Sequence, residues 1–252
     1  GDVIWLAMII RVRGVTAAKL KDEDFVDQIV HTTSHAYLLL FSNRGRVFRL
    51  RGHEIPVKER AAKGTAIVNL LNLGEGEKVA ACKAVRNFAE PEHYLIMATR
   101  RGVVKKTPLE QYGRPKKTGI IAINLREDDE LVDVAITKTG DEIVLSTALG
   151  MAIRFSQADA RAMGRNSTGV KGINLAKDDR LVGMVVADPD ATLLTACENG
   201  YGKRTPFGPN DPSLAAVAET SDEETPETPA VEIEADGDED SDSSGRRYRT
   251  QR

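Results

Sequence analysis

Four cations recur at one register in this 252-residue chain, and they carry its most readable chemistry. Arg49, Lys106, Arg154 and Arg204 each stand four residues after a glycine: Gly45, Gly102, Gly150 and Gly200. Guanidinium and ammonium groups pair with carboxylate or phosphate oxygens, but an isolated one on a strand means little, because such side chains are ordinarily solvated. Four in register mean more. Further cations flank the same glycines at Arg44, Arg46, Arg100, Arg101, Lys105 and Lys203, and Arg51 continues one strand. The loops that follow add Arg60, Lys63, Arg114, Lys116, Lys117, Arg161, Arg165 and Lys171. Set around a curved perimeter, these residues would form a track for a phosphate backbone.

Catalytic chemistry finds little support. His31, His35, His53 and His93 share no metal-ligand spacing with Cys82 or Cys197. The acidic pairs Asp128-Asp129 and Asp178-Asp179 recur at the same point of successive repeats, which marks them as structural, since a catalytic pair normally occurs once. No phosphate-binding glycine loop or nucleophile elbow appears. No recognition helix, zinc spacing or aromatic platform is present either, so contacts with nucleic acid would read the backbone rather than the bases.

The elements that position the cations come from a repeat. Aligned on the four glycines, the chain shows apolar triplets five to seven residues before each: Leu38-Leu39-Leu40, Leu95-Ile96-Met97, Ile143-Val144-Leu145 and Leu193-Leu194-Thr195. A small residue stands three before each, namely Ser42, Thr99, Thr147 or Cys197. This reads as a β-hairpin closed by a structural turn glycine. After each of the first three hairpins comes a cationic loop, a second glycine (Gly64, Gly119, Gly169) and, five residues on, an Asn-Leu pair. An acidic turn and another apolar strand complete each unit, and the run Ser156 to Met163 has room for one helical turn. Each unit thus supplies about four strands, and turn glycines 57, 48 and 50 residues apart fit propeller-blade spacing.

The formal net charge of -3 hides a division. Residues 213–245 hold 12 Asp and Glu with no Lys or Arg, whereas residues 1–212 hold 31 Lys and Arg against 26 Asp and Glu. A basic body points to a polyanionic partner. The acidic segment has too little apolar surface to offset ordering entropy and reads as disordered, either a solubilising linker or a competitor for the basic rim. The two cysteines fit a reducing compartment, with Cys197 placed for plain packing in its hairpin. The apolar run Val3 to Ile10 is too short to span a bilayer, and no targeting signal is evident. A first residue of Gly and an abrupt end read as a fragment.

Asp22-Glu23-Asp24-Phe25-Val26 through Phe41-Ser42-Asn43-Arg44-Gly45-Arg46-Val47-Phe48-Arg49-Leu50, then Ala66-Ile67-Val68-Asn69-Leu70-Leu71, resembles the C-terminal domain of the A protein of DNA gyrase. Asn199-Gly200-Tyr201-Gly202-Lys203-Arg204-Thr205 is similar to the same family's later blades, so the resemblance covers about residues 13–208. It implies an all-β, propeller-like β-pinwheel of four-stranded blades, about four of a family six being present. The organisation expected is an atypical segment at 1–12, possible as an edge strand, DNA-binding blades at 13–212, a disordered acidic linker at 213–245 and the start of a truncated blade at 246–252. The family's Gln-Arg-Arg-Gly-Gly-x-Gly box is reduced to Arg13-Gly14, while Tyr248-Arg249-Thr250-Gln251-Arg252 resembles the opening of one, adding Arg249 and Arg252 to the phosphate-contacting set.

The resemblance further implies wrapping of duplex DNA without sequence preference, so that a holoenzyme introduces negative supercoils during ATP-driven strand passage. The partners would be the gyrase A catalytic core and gyrase B, in a bacterial cytoplasm at the nucleoid. This segment would be non-catalytic and hold no cofactor, ATP and Mg²⁺ belonging to other domains or other chains of the holoenzyme. The same-class alternative is the corresponding C-terminal domain of topoisomerase IV, and a different class is a propeller used as a protein-interaction scaffold. With the four registered cations facing DNA, charge reversal at all four is expected to spare the fold and abolish wrapping.

Overall fold

Hairpins organise the architecture. The computed structural model of the protein describes residues 28–58, 64–114 and 118–210. Strands β1 (Tyr37–Ser42) and β2 (Arg46–Arg51) form the first hairpin, with Leu40 opposite Phe48 and Phe41 opposite Val47. Strand β3 (Val79–Val85) pairs with β1 on its other side. The second hairpin joins β4 (His93–Thr99) to β5 (Val103–Pro108). Next come a two-residue strand β6 (Ile120–Ile121) and the long β7 (Leu131–Lys138). The third hairpin, β8 (Glu142–Thr147) and β9 (Ala152–Ser156), is followed by β10 (Val170–Lys171) and β11 (Leu181–Ala187). The fourth is β12 (Thr192–Ala196) with β13 (Gly202–Pro206).

Pairing does not follow chain order. The sheets run β3-β1-β2-β6, β10-β5-β4-β7, β11-β8-β9 and β12-β13. Strand β7 therefore serves its own hairpin, whereas β6, from the same unit, crosses back to complete the preceding blade. Strand β10 repeats the crossing onto β5. Among the described residues, the second and third units each lend one outer strand to the blade before them.

Blades stack face to face, which explains why the hairpin strands are apolar on both sides. Leu39 and Phe41 share a buried cluster with Leu95 and Met97, between the first two blades. Ile96 and Ala98, on the opposite face of β4, pack with Ile143, Leu145, Leu181 and Met184 of the third. Leu38, Leu40 and Phe48 cover the first blade's other face together with Cys82, and Val144 meets Ala187 and Phe207 between the third blade and the fourth hairpin. Each such Leu or Ile contributes about 1.5–3 kcal/mol by burial. The fourth hairpin differs: Leu194 and Tyr201 are exposed, and so is Cys197, which is not packed as its register had implied. A single 3-10 turn, Gln157–Asp159, capped by the Ser156 side chain, occupies the run where one helical turn was expected.

The glycines explain the exchange. Gly45 and Gly102 both have φ +76°, and their carbonyls accept N–H bonds from Ala122 and Gly172, just past the lent strands. A Cβ at Gly45 would stand 2.6 Å from the Ile123 carbonyl oxygen, and one at Gly102 would stand 2.7 Å from the Ile173 side chain. Only glycine admits the lent strand that closely. At Gly150 and Gly200 the conformation persists, but no described atom lies within 4 Å.

Candidate nucleic-acid interface

Each hairpin turn is held by short-range chemistry that repeats. The hydroxyls of Ser42, Thr99 and Thr147 accept the backbone N–H of the residue after the turn glycine, at 3.2, 3.2 and 3.1 Å. That is the reason for the small residue at this position. The acidic turns dock against the same ends. Asp129 accepts the Arg101 N–H at 2.9 Å, and Asp179 accepts that of Leu149 at 3.0 Å. The residues just before them, Asp128 and Asp178, adopt φ of 56° and 63°, matching Gly76 at 68°. In the first blade the counterpart acid is Glu77, which takes the Arg46 guanidinium at 2.9 and 2.6 Å and the Gly74 N–H at 2.7 Å. Burial pushes the Glu77 carboxyl up, but hydrogen bonds from Arg46, Ser42 and Gly74 outweigh it and hold it below the usual carboxylate range.

Of the four registered cations, Lys106 and Arg154 are buried and Arg49 is half-buried. Arg154 is 4 % exposed and Lys106 6 %. Arg154 is bound by Glu142 and by the carbonyl of Phe207, with Asn210 Oδ1 at 3.0 Å. The Lys106 ammonium donates to the Gln157 carbonyl and side-chain oxygens at 2.9 and 2.8 Å and sits 4.7 Å from the Tyr94 ring centroid. Arg49, half-buried, donates to the Gly113 carbonyl and lies 4.8 Å over the Tyr37 ring. For these three cations an acceptor lies just beyond the next hairpin, so the cation of one blade latches the loop of the following unit, while Glu142 holds Arg154 from within its own hairpin. The expectation that Lys106 and Arg154 face DNA is corrected. On a strand the side chain stands off the sheet face, and here that face is covered by the neighbouring blade. Arg204 alone of the four is exposed.

Lys105 is corrected likewise, being 0 % exposed. Its ammonium donates to the Ala122 carbonyl at 2.5 Å and to that of Arg165. The Tyr112 hydroxyl donates to the same Ala122 oxygen at 3.2 Å. Burial, aided by the Arg165 charge, pushes the Lys105 ammonium down to about 7, and burial pushes the Tyr112 hydroxyl up to about 12. Burial lowers Lys106 as well, with Asp159 opposing. These are joint residues between blades.

Most of the exposed cations occupy turns and loops, with Arg51, Lys203 and Arg204 on hairpin strands. Arg44, Arg100 and Arg101 stand at hairpin turns, where Arg100 approaches Glu130 at 3.8 Å and Arg101 approaches Asp128 at 3.9 Å. Arg51, Arg114, Arg161, Lys171, Lys203 and Arg204 are exposed elsewhere, Lys171 on a lent outer strand. Arg165 is half-buried and reaches the Ile121 carbonyl at 3.4 Å. Arg60, Lys63, Lys116, Lys117, Arg249 and Arg252 lie outside the described residues, as do the segments 1–12, 213–245 and 246–252. Reading by hairpin register missed Arg126, Lys177 and Arg180, which are exposed around the acidic turns. Their signal was the recurrence of that turn beside each hairpin. Among the described residues, no cluster of His, Cys, Asp and Glu could hold a metal ion, and no helix is long and apolar enough to cross a membrane.

Face-stacked antiparallel blades joined by exchanged outer strands define a β-pinwheel, a propeller variant. The chain belongs to the family described as DNA gyrase C-terminal domain, beta-propeller, whose model matches residues 11–31, 36–86, 93–138 and 141–188. It is 43 % identical over 196 residues to the DNA gyrase A protein of Staphylococcus epidermidis, a match covering 77 % of this chain and 22 % of that protein. The chain thus spans about a fifth of the length of the curated gyrase A relatives it matches. Among solved structures, the C-terminal domain of DNA topoisomerase IV superposes with a TM-score of 0.67 at 29 % identity, covering 75 % of this chain and 59 % of that one. A DNA gyrase A C-terminal domain superposes at 0.58 and 27 % identity, covering 69 % and 55 %.

Proposed function

We infer that this chain binds duplex DNA through its backbone phosphates and bends it around the outer edge of the blades. It acts as the wrapping part of a gyrase-type topoisomerase. The observation that carries this reading is the placement of the exposed cations: in a gyrase-family pinwheel they sit on turns, on loops, on a lent outer strand and on the outlying strand positions Arg51, Lys203 and Arg204, while Lys105, Lys106 and Arg154 are used internally. Duplex curved over several blades gains a contact at each one, which offsets a bending cost on the order of 1–6 kcal/mol. Strand cleavage and ATP hydrolysis, with their Mg²⁺, belong on this reading to the catalytic core and gyrase B, in the bacterial cytoplasm.

A titration of duplex binding at several ionic strengths tests it. Each neutralised phosphate contributes about 0.9 to the slope of log K against log salt, so a slope of several is expected, equal for unrelated sequences. A shallow slope with weak binding would identify a protein-interaction scaffold instead. The superposition on a topoisomerase IV domain, at 0.67 against 0.58, favours a second reading within the same class. Supercoiling of relaxed plasmid by the intact holoenzyme supports gyrase, and relaxation or decatenation without supercoiling supports topoisomerase IV.

A further inference from the structure

An open groove of about 560 Å³ runs between the first blade and the loop leaving β5. It lies at the end of the hairpins opposite their turns, since Tyr37 and Arg51 are the terminal pair of β1 and β2. Tyr37, Arg86, Phe88 and Arg114 line it, together with Gly113, whose carbonyl binds Arg49. The Tyr37 ring carries two guanidiniums, Arg49 at 4.8 Å and Arg51 at 5.1 Å from its centroid, and Phe88 packs against it with centroids 5.4 Å apart. No ion pair joins Arg49, Arg51, Arg86 or Arg114 to a carboxylate among the described residues, although Glu110 also lines the groove. At the turn ends, by contrast, Arg46, Arg100 and Arg101 have acidic partners.

Four arginines outnumber the carboxylates near them, Glu110 in the groove and Glu54 on the Arg51 backbone N–H, so a net positive field remains, and a concave, partly apolar wall focuses it. Stacking on a ring occupies the flat face of a guanidinium and leaves its N–H edge free, the edge that binds phosphate oxygens in pairs. We propose that this aromatic-walled groove is a dedicated phosphate clamp, in which Arg51, Arg86 and Arg114 grip the backbone of the bound duplex and Tyr37 is the positioning residue. The assignment rests on the DNA-binding reading above. Arg49, held by Gly113, supports the field but donates little to the ligand.

Salt titrations on the full 252-residue chain test it. Replacing Arg51, Arg86 and Arg114 together by Gln is expected to lower the salt slope by about 2–3 with an unchanged melting temperature. Tyr37→Leu should lower it by about 1, and Tyr37→Phe, which keeps the ring, should restore it. A parent chain without duplex binding would overturn the DNA-binding reading itself. A parent that binds while the triple variant keeps the full slope would overturn the clamp alone. So would a variant that loses affinity for a labelled mononucleotide but none for duplex, because the groove would then be a nucleotide pocket. Equal loss in Tyr37→Leu and Tyr37→Phe would remove the ring from the account.

Discussion

Arg154 shows how a charge that looks made for a ligand can be a fastener. It and Glu142 are both almost wholly buried, and removing one partner of such a pair leaves the other charge uncompensated. Arg154→Glu is expected to destabilise the fold by about 3–5 kcal/mol in a denaturant titration. Charge reversal at exposed Arg101 should move it by less than about 0.5 kcal/mol. The strand register alone led to the opposite expectation, an intact fold with lost wrapping. The charge four residues after each turn glycine was legible in the sequence; its direction was not, because that depends on knowing that blade faces are covered. Lys105 gives a pH signature. Its folded ammonium titrates at about 7 against the ordinary 10.5, so between those values the unfolded chain holds a proton the folded chain has released. Stability from this site therefore rises as pH climbs from 7 towards 10.5. The stability difference between the parent and Lys105→Met should grow in the parent's favour across that window, and a constant difference would contradict the assignment.

At the scale of elements, the turn glycines separate into two groups that the sequence cannot distinguish. All four have left-handed backbone, which costs a non-glycine residue about 1–2 kcal/mol. Gly45 and Gly102 also admit the lent strand, whereas Gly150 meets no described atom. Gly102→Ala is thus expected to lose several kcal/mol and Gly150→Ala only the backbone strain, measured by thermal unfolding of each variant. Equal losses would mean that the strand exchange adds nothing. The hairpins were plain in the sequence because an apolar run ahead of a turn glycine carries a readable pattern. The exchange was not, since Ile120–Ile121 and Val170–Lys171 are two residues each, too short for any periodicity, and nothing local says which blade they join.

For the whole molecule, what matters is where the unspent positive charge ends up. Buried strand cations join one blade to the next, acidic turns close the hairpins, and other arginines and lysines look outward from loops, from outer strands and from the groove beside Tyr37. A rim of that kind bends DNA only if the contacts act together over several blades. The most direct measurement is topological. Nicked circular plasmid is bound by the chain, religated and freed of protein. A shift of linking number in one direction is expected, growing with the protein bound and vanishing at the salt concentration where binding is lost. An unchanged linking number in circles that carry bound protein would contradict wrapping.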